Sequence, residues 1–309
     1  MAKFLRLALL LVCILCTGCE TMEGNIDFAK SQDSRGINQG IGASEQKPLR
    51  IAFASVISPI ETRKSYQAMV RYISQQMGRP AVLIQRKTYE ELNMLLGAGE
   101  ADIAFISTGA YTSYNGMIPL ELLAMVQTDD TVFYHAYIIV RADSDINSVS
   151  QLRNKTFAFT DPLSYSGRLA IDYMLWDDFG TTSAQFFHKC FYTYNHDKSI
   201  WAVTNKLADG AGIDSQIYYF AKKTDPDIDK KIRIIHIMPP TPTGPVVMRQ
   251  DLPQEDKEKL KTIFLHMDEN PNLTEALHQA IIDKFVEPIP DAYDELKRKY
   301  QQKERLPGV

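Results

Sequence analysis

Cysteine is scarce where a fold could use it. Cys13, Cys16 and Cys19 fall within the first 19 residues, so the body of the chain carries only Cys190. An internal disulfide in a monomer is therefore excluded, and a lone thiol in an oxidising compartment is more often buried and inert than catalytic. Long apolar runs are missing too. The one near the start, residues 7–16, falls well short of the roughly 20 residues that cross a bilayer. His135, His188, His196, His236, His266 and His278 show no His-Glu-x-x-His or His-x-His spacing, and there is no Gly-x-Ser-x-Gly or P-loop. An enzyme would need a nucleophile, a base and an orienting group, or a set of metal ligands. The sequence displays none of these, so no catalytic residue, no metal site and no cofactor is expected.

Positive charge is also in deficit: the formal net charge is -4, and it falls further if Lys3 and Arg6 are removed with a leader. This disfavours a nucleic-acid partner, and an anionic ligand must be drawn by local donors and dipoles against the overall field.

What is present begins with that leader. Lys3 and Arg6 precede the apolar run, which reads as a signal peptide over residues 1–18. The run ends in Cys16-Thr17-Gly18-Cys19, small residues ahead of a cysteine, which makes Cys19 the expected lipidation site and mature N-terminus. Cys16 departs from the usual lipobox, where leucine is normal. Cleavage by the ordinary signal peptidase and an uncleaved anchor are the alternatives, and all three put the bulk of the chain outside the cytoplasm, periplasmic or at the cell surface. Residues 19–47 then form the lipid anchor and a flexible tether, rich in Ser, Gly, Gln, Asn and acids. As a random coil it spans roughly 30 Å, enough to hold a body clear of a membrane.

From residue 49 apolar strands and amphipathic helices alternate. Residues 50–55 form a strand, and 62–77 a helix with Tyr66, Met69, Val70, Ile73 and Met77 on one face. Segments 81–85, 89–97 and 102–107 continue the alternation, which implies a parallel α/β sheet. A long strand over 132–141 follows, then a polar break at 143–147. The second set comprises strand 155–160, helix 167–179, strand 185–192, helix 197–207, strand 210–214 and strand 232–237. Four prolines between Met238 and Pro245 mark a return crossing, strand 246–249 resumes, and helices are expected over 252–267, 274–285 and 290–300. The expected division is a first lobe over 48–142, a second over 143–238, and the return crossing, completion of the first lobe and C-terminal helices over 239–309. Two α/β halves joined by two crossings make the cleft between them the natural ligand site.

The segment Phe159-Thr160-Asp161-Pro162-Leu163-Ser164-Tyr165-Ser166-Gly167 follows an apolar strand and opens a helix. Hydroxyls and backbone amides converge there at a helix N-terminus, where unpaired N-H groups and the dipole favour an anion, and Gly167 permits close approach. Ordinary N-capping by Ser164 or Ser166 is the plainer alternative.

The run Asp161-Pro162-Leu163-Ser164-Tyr165-Ser166-Gly167 resembles the Asp-Pro-x-Ser-x-Ser-Gly signature of phosphonate-type (PhnD-like) periplasmic solute-binding proteins of ABC transporters. Three further segments agree in order and spacing. They are Ala101-Asp102-Ile103-Ala104-Phe105, Asn195-His196-Asp197 with Ala202-Val203 and Ala208-Asp209, and Pro239-Pro240 through Pro245-Val246-Val247 to Asp251-Leu252-Pro253. The resemblance covers residues 49–267. It implies the type II periplasmic binding protein fold, in which two α/β lobes close on a ligand about a hinge. It also implies that Ser164, Tyr165 and Ser166 hold a small phosphorus oxyanion, assisted by His196, with Tyr89 and Tyr134 from the first lobe.

Hydroxyls and imidazole are donors suited to an oxyanion. His196 could equally cap or pack, and Tyr89 and Tyr134 could be core aromatics. Asp214 ends a strand nearby and is a candidate for a ligand donor or a protonated oxyanion, or merely for capping the next helix. Two departures bear on the ligand. Tyr165 stands where a small hydroxylated residue is usual, and Gln216 and Gly244 align with the carboxylates that hold the ammonium of aminoalkylphosphonates. The expected function is an extracytoplasmic substrate-binding lipoprotein of an ABC importer, monomeric and membrane-tethered, that delivers a phosphonate, phosphite or phosphate-like ion to a permease. A ligand sensor docking on a membrane receptor is the alternative, and an extracytoplasmic hydrolase a more distant one.

Overall fold

The computed structural model describes residues 47–54 and 59–304. The leader, Cys19 and nearly all of the tether lie outside the described residues. In chain order the first elements are β1 (Leu49–Ala54), α1 (Pro59–Met77), β2 (Ala81–Arg86), α2 (Tyr89–Gly97), β3 (Ile103–Phe105), α3 (Thr108–Thr112) and β4 (Leu120–Gln127). Then come β5 (Phe133–Tyr134), β6 (Ala136–Arg141), β7 (Thr156–Phe159), α4 (Ala170–Phe179), β8 (Lys189–Tyr192), α5 (His196–Thr204), β9 (Gly210–Asp214), α6 (Ser215–Thr224) and β10 (Ile232–Ile237). The chain closes with β11 (Thr241–Pro242), β12 (Pro245–Arg249), α7 (Gln254–Leu265), α8 (Thr274–Gln279), β13 (Lys284–Val286) and α9 (Asp294–Glu304).

Two sheets define two lobes. The first runs β13-β4-β12-β3-β1-β2 and the second β10-β6-β9-β7-β8. Each is covered on both faces, which is why the strands read as continuous apolar runs. In β1, Ile51 and Phe53 pack with the buried α1 stripe of Tyr66, Met69, Val70, Ile73 and Met77, while Ala52 and Ala54 face Leu92, Leu95 and Leu96 of α2. The period of two along the strand thus divides one segment between two cores.

Between the lobes lies a ribbon of two short strands. β5 pairs antiparallel with β11, Thr241 opposite Tyr134 and Pro242 opposite Phe133. The expected long strand over 132–141 is therefore broken at His135. Its first part belongs to this ribbon and its second, β6, pairs with β9 and β10 in the second sheet. The first crossing thus precedes β6, ahead of the polar break at 143–147, because an apolar strand carries no mark of which sheet will bury it.

Neither sheet is wholly parallel. β1 runs parallel to β2 and β3, and β7 to β8 and β9. β12 opposes both β3 and β4, and β13 opposes β4. Helical crossovers enforce parallel neighbours, whereas a strand re-entering from the other lobe is free to run either way. The helix expected over 274–285 stops at Gln279. Ile281 takes a φ of 60°, the chain reverses, and buried Phe285 joins β13 against Val126. Likewise the strand expected over 185–192 begins with a helical turn at Ser183–Phe186, and only Lys189–Tyr192 pairs. The last helix begins at Asp294, later than the expected 290.

Candidate functional site

The loop that follows β7 is organised by its own side chains. The Ser164 hydroxyl accepts the Gly167 amide at 3.0 Å, and the Ser164 carbonyl accepts the amides of Arg168 at 3.1 Å and Leu169 at 3.0 Å. The wide turn Tyr165–Leu169 leads directly into α4. With the Gly167, Arg168 and Leu169 amides held by Ser164 and the Ala170 amide by the Tyr165 carbonyl, the first two amides of the turn, Tyr165 and Ser166, are the ones with no carbonyl one turn earlier to bond. Gly167 is required by packing: a Cβ there would lie 2.4 Å from Thr160 Cβ and 2.8 Å from Ser164 Oγ. The close neighbour that this glycine admits is the Thr160 side chain.

Ser164, Tyr165, Ser166, His196, Asp214, Tyr89 and Tyr134, drawn from both lobes and the ribbon between them, line one cavity of about 110 Å³. Ser107, Thr108, Gln216 and Gly244 also line it. Among the described residues that line it there is no lysine or arginine, and Asp214 is the one carboxylate.

Three features set the donors. First, the Asp214 amide donates to His196 Nδ1 at 3.2 Å, and Thr160 Oγ1 lies 3.3 Å from the same nitrogen. Burial pushes the His196 pKa down to about 3, so the ring is neutral. A neutral imidazole that accepts at Nδ1 carries its proton on Nε2, which is left as a donor. Second, burial pushes the Tyr89 and Tyr134 phenols far above their ordinary value, which keeps them protonated. The Tyr134 hydroxyl is within reach of the Thr108 and Ser166 side chains, while the buried Tyr89 hydroxyl has no partner among the described residues. Third, Asp214 caps α6 by accepting the Gln216 amide at 2.7 Å, yet burial without a compensating cation pushes its pKa up to about 7. Near neutrality that carboxyl is divided between donor and acceptor forms.

Tyr165 turns toward the ribbon, where its hydroxyl reaches Thr241. Thr108 was missed in the sequence. It opens α3, a short helix capped by Ser107, and donates to the Pro242 carbonyl at 2.8 Å. The Ser107-Thr108-Gly109 run was a visible signal, but a helix of five residues has no periodicity to frame it. Cys190 lies on β8, with burial pushing its thiol up to about 11. Among the described residues no group of three His, Cys, Asp or Glu side chains could hold a metal ion, and no helix is long and apolar enough to cross a membrane.

Two lobes, two crossings and a cleft lined with neutral donors define a solute-binding protein of the two-lobed periplasmic type. The family model for the periplasmic substrate-binding protein of phosphonate ABC transporters matches residues 51–293, and the chain belongs to that family. It is 23% identical over 235 residues to the phosphonates-binding periplasmic protein of Escherichia coli K12, covering 74% of this chain and 68% of that one. It is 29% identical over 113 residues to the phosphate-import protein PhnD of Mycolicibacterium smegmatis, 35% of each chain. The fold matches PhnD1 from Prochlorococcus marinus, solved with methylphosphonate, with a TM-score of 0.75 and 18% identity over 84% of this chain and 99% of that one. The family is one of transporter binding components that act outside the cytoplasm, not of enzymes.

Proposed function

We propose that this chain captures a small phosphorus oxyanion, a phosphonate, phosphite or phosphate-like ion, between its lobes and delivers it to an ABC permease as a monomeric lipoprotein anchored through Cys19. The observation that carries the reading is the lining of the cavity. Hydroxyls of Ser164, Ser166, Tyr89 and Tyr134 and the Nε2-H of a neutral His196 surround a space of about 110 Å³, with no lysine or arginine among the described residues that line it. Such a set rewards shape and hydrogen bonding over charge. Asp214, poised near neutrality, accepts a proton from a monoanion or donates its own to a dianion.

The substituent end argues against an ammonium. Among the described residues Gln216 Nε2 is buried without a partner, so that corner holds a neutral amide where aminoalkylphosphonate binders place a carboxylate. A carboxylate cannot enter at Gly244, because a Cβ there would lie 2.4 Å from the Ile106 carbonyl oxygen. Ligands that fit are compact: phosphate, phosphite and methylphosphonate rather than an aminoalkylphosphonate. Membership of a transporter family favours delivery to a permease over docking on a sensor.

Native mass spectrometry of the protein as purified is the direct test, since tight binders keep their ligand. A retained phosphorus oxyanion is expected. A melting temperature that rises with none of phosphate, phosphite, methylphosphonate or methanesulfonate, in protein freed of ligand, would sink the reading. Cys19→Ala should release the chain from the membrane fraction, and a processed variant that stays bound would place the tether elsewhere.

A further inference from the structure

Asp161 opens the loop but does not line the cavity. Its side chain is 1% exposed and bridges the lobes. Oδ1 accepts the Leu163 amide at 2.8 Å within its own loop, and Oδ2 accepts the Tyr89 amide at 3.2 Å across the cleft. Tyr89 is the first residue of α2, so the carboxyl sits on the positive end of a helix of the first lobe, beside the Thr88–Glu91 capping box. The same Tyr89 lines the cavity with a buried hydroxyl that has no partner among the described residues.

Contacts around this bridge come from the same two faces. Gly109 of α3 lies so close to the loop that a Cβ would fall 2.2 Å from the Leu163 carbonyl oxygen and 2.7 Å from the Tyr165 amide nitrogen. Ser107 Oγ donates to that carbonyl at 3.5 Å, and the Lys87 ammonium stands 4.7 Å above the Tyr194 ring. Within this seam the Asp161–Tyr89 bond is the short one that ends on a residue lining the cavity.

We propose that Asp161 is a positioning residue for ligand capture. By holding the Tyr89 amide across the cleft it keeps the lobes closed and sets the Tyr89 hydroxyl over the bound ion, without touching that ion. The part about closure is independent of the oxyanion reading; the part about affinity rests on it.

Asp161→Asn keeps an oxygen for the Leu163 amide but loses the second acceptor that faces Tyr89. Two measurements on the full chain decide the matter. In deuterium exchange without ligand, Asp161→Asn should raise exchange several-fold over residues 87–97 and 161–167 and leave β1 and α1 unchanged. Gly109→Ala, which blocks the same seam without altering Asp161, should give the same pattern even if the asparagine variant folds poorly. In titrations with phosphate, phosphite and methylphosphonate, Asp161→Asn should weaken whichever ion the wild type binds by about tenfold or more. Combining it with Tyr89→Phe should add little to the larger single loss, since both act on one hydroxyl. Unchanged exchange at 87–97 in both seam variants, or strictly additive losses, would overturn the proposal. Failure of the wild type to bind any of the three ions would count against the oxyanion reading alone, and exchange would still decide the role of Asp161 in closure.

Discussion

The two walls of the cavity are prepared to different degrees. On the second lobe most of the polar atoms are already held, Ser164 Oγ by the Gly167 amide, His196 Nδ1 by the Asp214 amide, and Asp214 by the Gln216 amide at the start of α6, with Gln216 Nε2 the exception. On the first lobe the Tyr89 hydroxyl is buried and has no partner among the described residues. In the proposed capture the second lobe is the receptor, with most of its polar groups oriented by folding itself, and the first is a cover that brings the Tyr89 donor. Substitutions on the second lobe should cost both stability and binding, and those on the cover binding alone.

The largest effect that follows from this contrast is at Gly167. A methyl group forced against Thr160 and Ser164 should destabilise the protein by about 1–3 kcal/mol and abolish ion binding. A denaturant midpoint measured beside a titration checks both, and an unchanged midpoint would contradict the close packing. Ser164→Ala removes the Gly167 cap and one donor, so it should lower stability by about 1 kcal/mol and weaken binding by roughly 10–100-fold. Tyr89→Phe should weaken binding by about tenfold while leaving the melting temperature of the ligand-free protein level or higher, because a buried hydroxyl without a partner is removed. If Tyr89→Phe destabilised the free protein as Ser164→Ala does, the division between receptor and cover would fail.

The smallest expected effect is a flat pH profile with a specific cause. His196, lowered from 6.5 to about 3, takes up a proton on unfolding between those values, which makes folding more favourable as pH rises. Asp214, raised from 3.8 to about 7, releases a proton on unfolding, which makes folding less favourable as pH rises. Between pH 4.5 and 6 the two slopes oppose and nearly cancel. Asp214→Asn should therefore uncover the histidine slope, with stability rising by up to about 1.4 kcal/mol per pH unit. Urea unfolding at pH 4.5 and 6 measures it, and a profile as flat as the wild type would refute the pairing.

The second-lobe wall was legible in the sequence because its residues lie close together along a strand-to-helix loop, whose hydroxyl spacing carries a signature. Asp214 was legible as the end of an apolar strand, whereas His196 rested on resemblance. The cover was less so. Tyr89 and Tyr134 rested on resemblance, and Thr108 was passed over because α3 is too short to show a pattern. β4 and β13 were not foreseen either. β13 is held by the open edge of β4 against the helical pattern around it, and tertiary pairing overrode local propensity. The crossing ahead of β6 was hidden for a related reason, since an apolar strand does not say in which sheet it lies.

Isothermal titration of ligand-free full chain with phosphate, phosphite, methylphosphonate and methanesulfonate, repeated with Ser166→Ala, tests the central claim most directly. Binding of at least one phosphorus oxyanion at one site, lost or weakened at least tenfold by Ser166→Ala, is the expected result. No binding by any of them, or binding that Ser166→Ala leaves intact, would contradict a cavity built for such an ion.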